Sequence, residues 1–129
     1  MNIEKIKQLK ILYIEDEDDL RETTYSSLST IIPNITLASN GKEGLDKFKN
    51  GTFDLIITDL AMPIMTGTEM IKEIRKIDKN IEIFVTTAFS NQNKEVEELQ
   101  EIGISGYQMK RAVSPPHSIQ LIKNYTGFQ

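Results

Sequence analysis

Residues 53–58, with the sequence FDLIIT, form a short apolar run that ends directly before Asp59. Leu55, Ile56 and Ile57 are consecutive, so both faces of the strand that they predict are apolar. Strands of this kind occur in parallel sheets whose two faces are covered by helices. The segment therefore predicts a buried parallel strand with a carboxylate at its end.

Four other short apolar runs alternate with stretches in which apolar residues recur at helical spacing. The runs are residues 11–14, 35–38, 81–86 and 104–109. The residues at helical spacing are Leu20, Tyr25 and Leu28; Leu45 and Phe48; Met70, Ile71, Ile74 and Ile77; and Val96, Leu99 and Ile102. Five strand–helix repeats predict an α/β fold, a flavodoxin-like, doubly wound (βα)5 arrangement with a five-stranded parallel sheet.

Capping residues support these boundaries. A capping box places a polar residue at the helix start and an acid or amide three positions later, and proline is common in the first turn. A glycine with positive φ commonly ends a helix. The predicted starts are Asn40 with Glu43, Thr66 with Glu69, and Ser114 before Pro115 and Pro116, and the predicted ends are Gly51 and Gly103.

Length and composition fit one globular domain. The chain has 129 residues, 26% charged and 39% hydrophobic, which suffices for an ordinary core. Its 15 basic residues are scattered among 19 acidic ones, which argues against direct nucleic-acid binding. Cysteine is absent, and residues 1–10 lack the apolar stretch of a signal peptide or membrane anchor. We expect a single cytoplasmic domain over residues 1–129 with no membrane partner.

Polar residues follow the predicted strands. Glu15 and Asp16 follow the first strand, Asp59 the third, Thr87 the fourth and Lys110 the fifth. In a doubly wound sheet ligands bind outside the carboxyl ends of the strands, so these side chains are expected to share one crevice. Crowded carboxylates repel one another unless a hard cation lies among them. Mg²⁺ is the expected cofactor, because it takes oxygen ligands from one or two carboxylates and a phosphate.

The chemistry predicted for this crevice is phosphoryl transfer. Asp59 could attack a phosphoryl donor, since a positioned and charge-neutralised carboxylate forms an aspartyl phosphate. Lys110 would pair with the phosphoryl oxygens, and the Thr87 hydroxyl would donate a hydrogen bond to another. Each residue alone is explained as well by a turn, a helix cap or a solvated charge. Their common placement at strand ends favours a functional site.

Four segments carry a resemblance to a known family. They are ILYIEDED at 11–18, DLIITDLAMPIMTG at 54–67, VTTAFS at 85–90 and GISGYQMK at 103–110. In order and spacing they resemble the motifs of response-regulator receiver domains, the phosphoacceptor modules of two-component signalling. The most specific part is Asp59 followed by MPIMTG at residues 62–67.

The resemblance implies roles around the acceptor. Asp59 would be the phosphoacceptor. Asp16 would be a direct Mg²⁺ ligand, Glu15 a ligand through water, and Ala61 a ligand through its backbone carbonyl. Ala61 and Phe89 offer no side chain that could orient an attacking water, so self-dephosphorylation is expected to be slow.

The resemblance also implies a switch. Thr87 and Tyr107 would form the pair in which the hydroxyl moves toward the phosphoryl group and the ring turns inward behind it, while Lys110 pairs with the phosphoryl group. Without the resemblance, Tyr107 would be interpreted as an ordinary core residue. The implied partners are a sensor histidine kinase or phosphotransfer protein and an unknown protein target, and phosphorylation-dependent dimerisation would also fit. The domain would be a signalling module rather than an enzyme.

Other functions are weighed by the same residues. A haloacid-dehalogenase-type phosphatase needs a second acid where Ala61 stands, and a flavodoxin-type cofactor site needs a phosphate loop where residues 15–19 read EDEDD. No GxGxxG dinucleotide motif is present. The open alternative is a pseudo-receiver, the same fold used for protein binding without phosphorylation. It is favoured only by Arg111, which follows Lys110 where these domains usually have proline.

Overall fold

The computed structural model describes residues 3–87 and 94–109, in which helices and strands alternate. The strands are β1 (Lys10–Ile14), β2 (Asn34–Ala38), β3 (Leu55–Asp59), β4 (Glu82–Thr87) and β5 (Gly106–Met109). The helices are α1 (Ile3–Lys7), α2 (Asp18–Leu28), α3 (Gly41–Lys49), α4 (Gly67–Ile77) and α5 (Lys94–Ile102).

The five strands form one parallel sheet in the order β2-β1-β3-β4-β5. This is the flavodoxin-like order, in which the winding reverses between β1 and β3. The predicted α/β class and the predicted five-stranded parallel sheet are therefore confirmed.

Strand residues alternate between two core layers, one on each face of the sheet. Leu12 and Ile56 belong to the layer that packs against α3, α4 and α5. Ile11 and Ile57 belong to the layer that packs against α1 and α2. All five residues of β3 are buried, as its two apolar faces predicted. The central strand thus carries Asp59 to the carboxyl edge of the sheet through an interior in which Leu55, Ile56 and Ile57 are fully buried.

The helix starts predicted at Asn40 and Thr66 are confirmed, with one difference in detail. Thr66 and Glu69 form a reciprocal capping box at α4. At α3, the Asn40 side chain accepts a hydrogen bond from the Glu43 backbone N–H at 2.8 Å. The Glu43 carboxylate, however, accepts from the Ser39 N–H at 2.6 Å and not from Asn40. Helix α3 therefore begins with an N-cap residue, Asn40, but without the reciprocal capping box that was predicted there.

The helix-ending glycines behave differently from each other. Gly103 follows α5 with a φ of +112°, as predicted. Gly51 follows α3 but does not have a positive φ. A Cβ atom on Gly51 would lie 3.0 Å from the Phe53 ring, so the close approach of this ring is what favours glycine there.

The strands differ from the predicted runs by one or two residues: β1 and β2 begin one residue earlier, β4 is shifted by one residue, and β5 begins at Gly106 instead of residue 104. The third strand begins at Leu55, because Asp54 turns aside to exchange hydrogen bonds with the Lys10 backbone: Asp54 N donates to Lys10 O and Lys10 N donates to the Asp54 carboxylate. Helix α1, which was not predicted, buries Ile6 against the second core layer. The helix predicted from Ser114 lies outside the described residues.

Candidate functional site

Three carboxylates meet at the carboxyl edge of the sheet. Oxygen atoms of Glu15, Asp16 and Asp59 lie within 4.8 Å of one another. The parallel register explains this, because Ile14 pairs with Thr58 and the next residues along the two strands are therefore neighbours. The structure thus brings together the acids that the sequence predicts, and they are termed the acidic cluster here.

Members of the acidic cluster differ in their exposure to solvent. Glu15 is 0% exposed and Asp59 is 5% exposed, whereas Asp16 faces solvent. The Glu15 carboxylate accepts a hydrogen bond from the Glu17 N–H at 3.1 Å, and the Asp59 carboxylate accepts one from the Leu60 N–H at 2.7 Å. Buried carboxylates are costly unless their charge is compensated. A donor set of oxygens with one side open to solvent fits a hard divalent cation such as Mg²⁺.

Arg21 fixes the path of the chain beyond β1. One guanidinium nitrogen donates to the Glu15 backbone carbonyl at 2.8 Å, and another donates to the Asp18 carboxylate at 2.6 Å. Together with the hydrogen bond from the Glu17 N–H to the Glu15 carboxylate, these contacts connect the start of α2 to the end of β1. They help to hold Glu15 and Asp16 at the acidic cluster.

The loop between β3 and α4 is held close to Asp59. The Gly67 N–H donates to the Leu60 carbonyl at 2.8 Å. A Cβ atom on Gly67 would lie 2.0 Å from the Asp59 carbonyl oxygen, so only glycine permits this approach. The helix start therefore packs directly against the backbone of the candidate acceptor.

The same loop contains an unusual backbone conformation. The Met65 N–H donates to the Pro63 carbonyl at 2.8 Å, which closes a three-residue γ-turn around Ile64. Ile64 has a φ of +71° and is the only non-glycine residue with a positive φ in the described part of the chain. Its side chain is 76% exposed. A β-branched residue in this region is strained, and such strain is often found beside functional sites.

Ala61 and Tyr107 can be placed relative to their predicted roles. Ala61 is exposed and lies two residues after Asp59, in the loop before α4. Tyr107 on β5 is half-buried and packs against the core layer of α3, α4 and α5. The position of Tyr107 agrees with a core residue, and its movement as a switch stays a prediction.

The remaining predicted residues are only partly described. Thr87 is the last residue of β4, and its backbone pairs with Met109 of β5. The predicted roles of the Thr87 side chain, of Lys110 with Arg111, and of Phe89 fall outside what the structure describes.

Sequence reasoning missed Thr86. Its register partner on β3 is Asp59, and it is 5% exposed. Its hydroxyl is buried and has no hydrogen-bond partner among residues 3–87 and 94–109. The available signal was strand alternation, which predicts that residues opposite each other in register share a face of the sheet.

The family model for the response regulator receiver domain matches residues 11–122. The chain belongs to this family. The receiver domain is 31% identical over 107 residues to the chemotaxis protein CheY-3 of Vibrio cholerae, covering 81% of this chain and 82% of that protein. Receiver domains are signalling modules of two-component systems that interact with histidine kinases or phosphotransfer proteins.

A second relative and a solved structure extend the comparison. The probable transcriptional regulator ycf27 of Cyanidium caldarium is 32% identical over 109 residues, which are 84% of this receiver domain but 43% of that protein. The receiver domain therefore spans less than half the length of this relative. The structure of response regulator TrrA of Thermotoga maritima in complex with Mg²⁺–BeF matches with a TM-score of 0.75 and 29% identity, over 95% of this chain and 100% of that one.

Within residues 3–87 and 94–109, no helix is both long and apolar enough to span a bilayer.

Proposed function

We propose that residues 1–129 form a single receiver domain that accepts a phosphoryl group on Asp59, in a Mg²⁺-dependent reaction, and signals by a conformational change. The acidic cluster carries this proposal. It places a buried carboxylate at the end of the central strand, beside a second buried acid and one that faces solvent. Membership of the receiver family supports the same assignment.

Asp59 is the nucleophile in this proposal. One carboxylate oxygen forms a bond to phosphorus while the P–N bond of a phosphohistidine breaks, and the leaving imidazole takes up a proton. The Leu60 N–H, 2.7 Å from the Asp59 carboxylate, fixes the orientation of that group. Since Gly67 packs on the Asp59 carbonyl, the backbone is also held in place during the attack.

Asp16, Asp59 and the Ala61 carbonyl would hold Mg²⁺ directly, and Glu15 would hold it through water. A bound Mg²⁺ supplies positive charge that offsets the carboxylates and the incoming phosphoryl oxygens. Asp16 is the exposed member of the acidic cluster, so the cluster opens to solvent on its side. Phosphodonor and cation would both enter from there.

The output is proposed to pass through Thr87, Tyr107 and Lys110. Lys110 pairs with the phosphoryl oxygens, the Thr87 hydroxyl moves toward them, and the Tyr107 ring turns inward. Two facts support this arrangement: Thr87 ends the strand next to β3, and Tyr107 is only half-buried on the neighbouring strand. The charge of the phosphoryl group would then favour one of two alternative packing arrangements of Thr87 and Tyr107.

The proposed phosphodonor is a sensor histidine kinase or a phosphotransfer protein, and the proposed receiver of the signal is a protein target in the cytoplasm. Phosphorylation-dependent dimerisation is one form that the output could take. Direct nucleic-acid binding is not part of the proposal, because basic and acidic residues are interspersed along the chain.

Intact mass after incubation with acetyl phosphate tests the acceptor. With Mg²⁺ the protein should gain one phosphoryl group, about 80 Da, as an aspartyl phosphate requires. The gain should disappear in Asp59→Asn and when Mg²⁺ is chelated. Asp54→Asn is the matched control, because Asp54 lies just before the opposite end of β3, where its carboxylate accepts a hydrogen bond from the Lys10 N–H. A wild-type protein without mass gain and without a Mg²⁺-dependent change in melting temperature would instead be a pseudo-receiver.

Slow self-dephosphorylation is a further part of the proposal. Ala61 has no group that could orient or deprotonate a water molecule, although it is exposed beside Asp59. After removal of acetyl phosphate, the phosphorylated mass should therefore decay slowly in Mg²⁺ buffer without any partner. Loss of the phosphoryl group within seconds would contradict this expectation.

A further inference from the structure

Thr86 and Asp59 are side-by-side neighbours on the sheet. Asp59 pairs with Thr86 in the parallel register of β3 and β4, where adjacent strands lie about 4.8 Å apart. The pair two residues earlier, Ile57 with Phe84, lies in the core layer of α1 and α2. Because side chains alternate with a period of two, Asp59 and Thr86 project toward that same face.

The Thr86 hydroxyl is buried and has no hydrogen-bond partner within residues 3–87 and 94–109. A buried hydroxyl without a partner is destabilising, and valine would fill the same volume without that loss. A polar group of this kind calls for an explanation in terms of another state or a bound group.

We propose that Thr86 donates a hydrogen bond to the phosphorylated Asp59 side chain and thereby stabilises and orients the acyl phosphate. This inference rests on the proposed function and adds a residue to it. Phosphorylation adds three strong acceptor oxygens to the neighbour of Thr86. The Thr86 proton stays on its own oxygen throughout: the donor's bond to phosphorus breaks and the Asp59 O–P bond forms, while Thr86 contributes only the hydrogen bond. This role is separate from the one proposed for Thr87.

Beryllofluoride with Mg²⁺ is the probe for this inference, since the two are present together in the TrrA structure. Wild type and Thr86→Val are titrated with beryllofluoride in Mg²⁺ buffer, with binding followed by ¹⁹F NMR. The melting temperature of each protein is measured without either ligand. Thr86→Val should melt at or above the wild-type temperature and yet bind beryllofluoride about tenfold more weakly, equivalent to about 1.4 kcal/mol.

Two further variants separate the hydroxyl from general packing. Thr86→Ser keeps a hydroxyl and should bind beryllofluoride nearly as tightly as wild type. Thr58→Val is the matched control. Thr58 is another buried threonine, but it lies on β3, and its side chain projects toward the opposite face of the sheet from Asp59 and Thr86. Its hydroxyl donates to the Asp59 backbone carbonyl at 2.8 Å, so its loss should lower the melting temperature and leave the affinity little changed.

Each outcome decides a different point. Equal beryllofluoride affinity in Thr86→Val and wild type would overturn the role of Thr86, and so would a lower melting temperature with unchanged affinity, which marks a structural hydroxyl. A wild-type protein that binds no beryllofluoride and gains no mass from acetyl phosphate would overturn the proposed function itself. If wild type binds beryllofluoride and a stable Thr86→Val variant binds it weakly, the result supports both the proposed function and the role of Thr86.

Discussion

In the interior of the sheet, Ile56 and Ile83 are paired, fully buried and surrounded by apolar side chains. At the carboxyl edge, Glu15, Asp59 and Thr86 are also buried but are polar. In the interior, sequence pattern, register and burial all favour the same fold. At the edge, burial and polarity conflict. Proteins generally keep such conflicts where a function needs them. The contrast shows that this fold is stabilised in one region and that its proposed chemistry is located in another.

A similar contrast occurs along the chain between the β3–α4 loop and α4. The helix begins with the Thr66–Glu69 capping box and buries Met70, Ile71 and Ile74 at helical spacing. The loop just before it holds Ile64 at a positive φ with its side chain in solvent. Regular structure and local strain are therefore only a few residues apart.

The largest expected effect concerns the interior. Ile74→Ala should lower the free energy of unfolding by about 2–5 kcal/mol, because Ile74 is fully buried between α4 and the sheet. Ile77→Ala on the same helix should cost about 0.5 kcal/mol or less, since Ile77 is 56% exposed. Urea denaturation measures both values. Similar losses of unfolding free energy in the two variants would contradict the expectation that burial determines the contribution of each isoleucine.

The next effect concerns the acidic cluster. Without Mg²⁺, Asp59→Asn should raise the free energy of unfolding by on the order of 1 kcal/mol, because one of three mutually repelling carboxylates is removed. The asparagine oxygen can still accept from the Leu60 N–H. Mg²⁺ should raise the melting temperature of wild type more than that of the variant. If Asp59→Asn were less stable than wild type in the presence of chelator, the carboxylates of the acidic cluster would not be destabilising the metal-free protein, which would contradict this expectation.

A smaller effect is expected at Ile64. Ile64→Asn should stabilise the protein by about 0.5–1 kcal/mol, since asparagine tolerates a positive φ better than a β-branched residue. Ile31→Asn is the control, because Ile31 is also exposed but does not have a positive φ. The control should be neutral or slightly destabilising. A gain of the same size at both positions would mean that replacing an exposed apolar side chain by a polar one, and not relief of backbone strain, is responsible.

The sequence predicted the parts of the fold that depend on periodicity. The buried run of β3 and the spacing of Met70, Ile71 and Ile74 are local patterns, and both elements formed as expected. The start of β3 was less predictable, because Asp54 is drawn out of the strand by Lys10, 44 residues earlier. Such a contact depends on which strands become neighbours and not on local composition.

The candidate site divides in the same way. The convergence of Glu15, Asp16 and Asp59 followed from strand ends in a doubly wound sheet. The γ-turn at Ile64 could not be predicted, because isoleucine disfavours that conformation and only the surrounding loop imposes it. Thr86 was missed because two consecutive threonines look equivalent until the register assigns one of them to Asp59.

The smallest expected effect concerns a pair of charged residues on the surface, far less buried than the acidic cluster. Lys72 of α4 and Glu98 of α5 form an exposed ion pair at 2.5 Å. The hydrogen bond and charge of Glu98 raise the pKa of Lys72 above its usual value of 10.5. The pair therefore stabilises the fold fully below the unfolded-state pKa of lysine, and this stabilisation is lost as the pH rises through the higher folded-state value.

Lys72→Met should lower the melting temperature slightly at pH 7 and low salt. In 1 M salt the melting temperature should not change measurably, because exposed pairs are screened. Beryllofluoride affinity should not change. A loss that persists in high salt would show that the Lys72 stem contributes by packing, and a changed affinity would mean that the helical surface and the carboxyl edge are coupled.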